Sequence, residues 1–314
     1  MLARTANSLF WMGRYVERIE HLSRYINAQY LSSSDTPGSP DKSLMLESML
    51  YMAYATASFN AYSDTRSADR VIFFLTLEPN NPASILNYVG AVRENARGVR
   101  DHITTELWES VNRYYHDVNT YTKERISRKG PYEFCKSTMD TTMLIKGVAD
   151  STLLRNEVWS MFRAGTHLER ALQITQILRS KLNDASKTQG TIAESMNGQH
   201  WTALLRSAGS LDMSRHYYGT TPNQEKAYDF LVLNRKSPKS VLYNLERIRF
   251  DLEIISGNRP IVPESVEFSA GKLASKISFL TVKEILNEGS SFFDHLIDEL
   301  VAIGAQLEQQ YLTF

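Results

Sequence analysis

Apolar residues recur at intervals of three, four and seven along most of the chain. Leu9, Met12, Val16, Ile19 and Ile26 step this way near the start, Val89, Val92, Ala96, Val99 and Ile103 further on, and Ile285, Phe292, Leu296, Leu300 and Leu307 near the end. Each series is the stripe of an amphipathic helix. The short apolar runs Val71–Leu77 and Phe230–Leu233 have the length of strands, but helix-compatible residues flank them, so they read as buried helical turns. They end at Pro79-Asn80-Asn81-Pro82 and at Lys236-Ser237-Pro238, and Pro82 and Pro238 are expected at the first positions of the next helices, where a missing N–H costs nothing. Ser32–Pro40 and Ser256–Pro260 are turn-rich connectors, too short to separate independent domains. The pattern predicts an all-α bundle of about ten to thirteen helices in a single domain spanning 1–314.

The chain also repeats itself. Phe10, Gly13, Glu17 and Arg18 return as Phe162, Gly165, Glu169 and Arg170, 152 residues later. Phe74-Leu75, Pro82, Ser84 and Leu86 return as Phe230-Leu231, Pro238, Ser240 and Leu242, 156 residues later. A period this long is no solenoid unit; it predicts two duplicated halves, 1–155 and 156–314, related by a pseudo-twofold axis. On a helix, Phe10, Gly13 and Glu17 share a face roughly opposite the Leu9/Met12/Val16/Ile19 stripe, which predicts packing on both sides. Glycine in a helix interior costs about 1 kcal/mol relative to alanine. Its presence in both copies predicts close approach of another backbone or of a ligand. Glu17 and Glu169, one turn beyond, then need cationic partners, and the arginine row Arg93, Arg97 and Arg100 is the expected source.

Arg93, Arg97 and Arg100 lie on one helical face, beside Glu94, Asn95 and Asp101. Three guanidiniums in a row suit bidentate recognition of carboxylate or phosphate. In the second half the corresponding positions are Arg249, Glu253 and Ser256, so the row exists once. The candidate ligand site is Arg14, Glu17, Arg18, Arg93, Glu94, Asn95, Arg97, Arg100 and Asp101, with Glu17 the candidate general base. The alternative is that the same charges are structural ion pairs locking helices together.

Composition narrows the function classes. The 35 Lys and Arg balance 35 Asp and Glu, which provides no basic field for nucleic acid. The aromatic pairs Tyr114-Tyr115 and Tyr217-Tyr218 are not interleaved with basic residues. The lone Cys135 allows no internal disulfide and fits a reducing cytoplasm. Neither a leader pattern nor the ~20 uninterrupted apolar residues of a membrane span is present. Two Glu-x-x-His pairs, as a di-iron bundle needs, are missing, and His21 near Glu17 and the Asp294/His295/Asp298 cluster read as ordinary polar positions. There is no phosphate-cradling glycine loop and no nucleophile elbow. The sequence therefore predicts no metal and no cofactor.

The opening Met1-Leu2-Ala3-Arg4-Thr5-Ala6-Asn7, the Phe10–Arg18 segment, Arg93–Asp101, Glu106–Asn112 and the second pair Glu169-Arg170 resemble the bacterial alpha-E domain end to end. That resemblance implies a protein encoded beside, or fused to, a circularly permuted ATP-grasp amide ligase, often with a transglutaminase-like cysteine peptidase nearby. Such systems suit the making or trimming of a peptide or amide-linked modification. The resemblance assigns the domain no reaction of its own. Three roles stay open: an accessory module holding a peptide or carboxylate against the arginine row, an enzyme using Glu17 with those arginines, and a scaffold.

Overall fold

The computed structural model describes residues 1–34, 41–187, 193–257 and 259–313. Among them there are sixteen α-helices and no strand, more pieces than the ten to thirteen expected. The surplus arises where short turns cut stripes that sequence periodicity runs together. Gly289, at φ +66°, divides the C-terminal stripe into two helices. Positive φ there is cheap only for a residue without a Cβ.

The chain divides into two compact units. Residues 15–154 form one; residues 1–14 together with 155–314 form the other. The division near 154 lies beside the boundary expected between halves, but the first fourteen residues group with the later part of the chain.

In the unit 15–154, α1 (Ala3–Ser34) contributes its larger, C-terminal part. It is followed by α2 (Asp41–Met52), α3 (Thr56–Tyr62), α4 (Ala68–Thr76), α5 (Ile85–Gly98), α6 (Thr105–Val118), α7 (Lys123–Lys129) and α8 (Tyr132–Thr152). A 3-10 turn, Arg100–His102, joins α5 to α6, which packs on both α5 and α8. Val71, Ile72, Phe74 and Leu75 are buried on α4, as the helical reading of that run required. The connector Ser32–Pro40 begins inside α1, and its residues 35–40 lie outside the described residues.

The other unit holds α9 (Glu157–Lys187), α10 (Ala193–Ser207), α11 (Leu211–Tyr218), α12 (Gln224–Tyr228), α13 (Val241–Ser256), α14 (Val266–Ser278), α15 (Val282–Glu288) and α16 (Ser290–Leu307). Helix α13 packs on α9 and α14, and α16 packs on the same two. The Phe230–Leu233 run lies in a π-helical turn, Asp229–Leu233. Of the Ser256–Pro260 connector, residue 258 lies outside the described residues.

The turn before α5 and the turn before α13 carry the same backbone hydrogen bonds at a constant spacing of 156. Glu78 N–H to Phe73 O, Asn81 to Glu78 and Ser84 to Asn81 match Asn234 to Asp229, Ser237 to Asn234 and Ser240 to Ser237. Both helices then begin on a serine N-cap, Ser84 Oγ accepting from Asn87 N–H and Ser240 Oγ from Tyr243 N–H. Pro82 and Pro238 therefore lie two residues ahead of the cap, not at the first helical position. A cap hydroxyl satisfies an orphan N–H that proline merely lacks, so serine takes the boundary.

No helix among the described residues is long and apolar enough to cross a membrane.

Candidate functional site

The repeated motif begins with the glycines, and each sits against a backbone. A Cβ on Gly13 would overlap the Phe162 carbonyl oxygen and come within 3.1 Å of the Thr166 nitrogen. A Cβ on Gly165 would overlap the Phe10 carbonyl oxygen and come within 3.3 Å of the Arg14 nitrogen. The contact is reciprocal at the 152-residue spacing: helix α1 crosses α9 with only hydrogen on either side. Phe10, Leu9, Met12, Val16 and Ile19 are all fully buried, so the start of α1 is packed on both faces, as its two apolar sides implied.

The charged residues of the motif are taken up by different partners. Arg14 donates from Nε to Glu169 Oε2 at 2.9 Å and lies 4.0 Å from Glu308. Glu169 is 1% exposed and also accepts from Gln173 at 2.9 Å. In the other unit Glu17 is fully buried, and its partner is Lys146 of α8, whose Nζ donates to Glu17 Oε2 at 2.7 Å and also to Glu20. Glu20 accepts in turn from Arg24 at 3.0 Å. The cationic partner expected from the arginine row is thus a lysine that sequence reasoning missed. A signal existed: Lys146 follows Thr142 by four residues and precedes Ala149 by three, on the stripe that α8 buries. Arg18 lies over the rings of Tyr15 and Tyr88, which stack with centroids 5.5 Å apart.

The arginine row does not keep to one helical face as its spacing predicted: α5 ends at Gly98, which puts Arg100 in the 3-10 turn, and only Arg93 and Arg100 turn toward α6. Arg93 donates from Nε to Asn112 Oδ1 at 2.8 Å, pairs with Glu94 at 3.2 Å, and lies over the rings of Tyr115 and Trp108. Arg100 lies over the other part of this surface, 5.3 Å from the Trp108 centroid. Arg93 and Arg100 thus share the indole, which holds two like charges near each other through the negative face of the ring. Arg97 is two-thirds exposed and pairs with Glu94 at 2.5 Å. Glu94 serves two arginines at once, and Asp101 lies exposed beside Arg100. Asn95 is half-buried on α5. The corresponding surface of α13 closes on itself, with Arg249 Nε 3.8 Å from Glu253.

The remaining chemistry of the chain is muted. Cys135 is buried, and burial pushes its thiol well above the usual range, so it is no nucleophile. Asp294 pairs with Arg179 and His295 with Glu288. Among the described residues no group of three or more His, Cys, Asp or Glu could hold a metal ion.

The chain matches uncharacterised proteins of Mycobacterium bovis and Mycobacterium tuberculosis at 23% and 22% identity over 273 residues, 81% of its own length. It spans only 30% of the length of these relatives. No solved structure matches it. A family model matches residues 1–312, and the chain belongs to that family, Alpha-E, described as a predicted alpha-helical domain with a conserved ER motif.

Proposed function

We propose that the chain is a binding module of a peptide- or amide-forming system, working beside an ATP-grasp amide ligase and, in some settings, a transglutaminase-like peptidase. The observation that carries this reading is the contrast between its two charged features. Glu17, which an enzyme would need as general base, is fully buried and held at 2.7 Å by Lys146. A general base must reach the proton that it removes. The arginines that would meet a peptide or carboxylate run along α5 into the 3-10 turn that follows it, with Arg97 two-thirds exposed. That the chain matches a 30% share of longer relatives fits a module better than a self-sufficient enzyme.

The two-half duplication belongs to the same proposal. It is supported by the reciprocal glycine contact and by the turns that share their hydrogen bonds. A site needed once can decay in one copy, which accounts for Glu253 and Ser256 where the first half has Arg97 and Arg100. The cytoplasm is the proposed location, since the thiol of Cys135 is free.

The test is reconstitution with an ATP-grasp amide ligase of the proposed kind, with product followed by mass spectrometry. Replacing Arg97 and Arg100 together by alanine should abolish the product that depends on this chain while the melting temperature holds. Unchanged product formation would favour the scaffold reading, in which the buried pairs are the whole purpose of the charges.

A further inference from the structure

Asp251, in the unit 1–14/155–314, is a poorly served carboxylate. Its side chain is fully buried on α13, and neither oxygen accepts a hydrogen bond from the described residues. Its nearest cation is Arg163 of α9, with Nε 3.8 Å from Oδ2, beyond hydrogen-bond range.

Arg163 is engaged on the other side. Its Nη2 lies 3.0 Å from His167 Nε2, and its guanidinium covers the Trp159 ring at 4.1 Å. A guanidinium only donates, so Nε2 must offer a lone pair and the histidine must be neutral. Its proton is then on Nδ1, donated to Asn244 Oδ1 at 2.8 Å. Asn244 Nδ2 donates to the carbonyls of Pro238 and Ser240, which fixes the orientation of the amide. A single chain of hydrogen bonds thus runs from Arg163 to the turn that starts α13.

We infer that Asp251, Arg163 and His167 form a proton-linked latch between α9 and α13, in which Arg163 serves the histidine while Asp251 is protonated and swings to the carboxylate when it ionises. The arrangement described is the protonated one: the bond to His167 is made and the bond to Asp251 is not. Burial raises the Asp251 carboxyl from 3.8 to about 7, against the opposing pull of Arg163 and Arg247. Arg247 is the charged group of its own helix that acts on it, and lies over Tyr243 at 4.9 Å. Among the described residues, the other charges named on the packed elements are engaged elsewhere or face solvent; on α9, Glu157 holds the Met1 amino group and Arg170 reaches the Pro238 carbonyl. On α14, Glu267 holds Gln310 and Tyr311, Lys276 holds Glu299, and Lys272 is exposed. In the π turn Asp229 accepts from Tyr218; on α9, Glu169 holds Arg14 and Arg179 holds Asp294; on α13, Glu246 holds Arg235 and Arg249 holds Glu253.

A carboxyl whose affinity for its proton is raised in the folded state binds more protons folded than unfolded between the two values. Its stabilising contribution is complete below 3.8 and is lost as pH rises through about 7.

The experiment is a carboxyl-carbon NMR titration of the full chain over roughly pH 5 to 9, with the His167 ring nitrogens followed alongside. One aspartate should titrate near pH 7, and the His167 Nε2 resonance should shift at the same midpoint as Arg163 leaves it. Asp251→Asn should erase both transitions and flatten the fall in melting temperature across that range. Arg163→Met, which removes the cation favouring ionisation, should move the aspartate midpoint upward. No aspartate titrating above pH 6 in the unmodified chain, or a His167 shift that persists in Asp251→Asn, would overturn the latch; the first readout needs no variant to fold.

Discussion

At Gly13 a single missing methyl decides how closely two helices approach. An alanine there would drive a Cβ into the Phe162 carbonyl, which belongs to backbone and cannot rotate away. Gly13→Ala should therefore destabilise by about 1–3 kcal/mol although alanine is the better helix former, and Gly165→Ala should do the same by the reciprocal contact. Thermal melts check this, and a raised melting temperature in either variant would mean that the crossing is looser than described. Lys146 makes the complementary case for charge. Lys146→Met would leave Glu17 and Glu20 buried without their shared ammonium, at a cost of about 3–5 kcal/mol. Denaturant unfolding of that variant should show a midpoint far below that of Arg97→Ala, whose partner Glu94 is half exposed and whose loss should cost under about 1 kcal/mol.

The elements begin and end where local chemistry tells them to. Ser84 and Ser240 cap α5 and α13 in the same way, and each caps a helix that carries a charged face. Ser84→Ala and Ser240→Ala should each cost about 1 kcal/mol. Ser240→Ala has a further consequence, since Ser240 Oγ also donates to the Asn234 carbonyl at 2.6 Å and so closes the turn. Unfolding free energies should rank Ser240→Ala as the more damaging of the two, and equal values would show that the second hydrogen bond adds nothing. The aromatic–arginine surface between α5 and α6 also belongs to this scale. Arg93, Trp108 and Tyr115 are brought together only because α6 returns alongside α5 after the 3-10 turn. Their spacing along the chain gives no hint of it, because the pattern within one helix cannot name the neighbour that its polar face meets.

For the whole molecule, balanced charge has a measurable consequence. With equal numbers of acidic and basic residues and a sequence pI of about 7.1, self-repulsion is weakest near neutral pH. Light scattering should therefore find association greatest near that value and decreasing on both sides; a solubility minimum elsewhere would reveal a surface whose charges are unevenly exposed. The all-helical class, the two-sided burial at the start of α1 and the need for glycine at positions 13 and 165 were set by the sequence alone. Periodicity of 3.6 residues and the cost of helical glycine are local facts that hold whatever surrounds them. Only the tertiary structure decided which partner each charge took. The carboxylate of Glu17 required a cation, but an arginine row nearer in the chain and a lysine 129 residues away were equally admissible on that ground. The same holds for Asp251, an ordinary acidic residue in the sequence that becomes a buried, titratable one because α9 and α13 close over it. Ion pairs and desolvation depend on distances across the fold, and a one-dimensional pattern of polar and apolar positions contains no such distances.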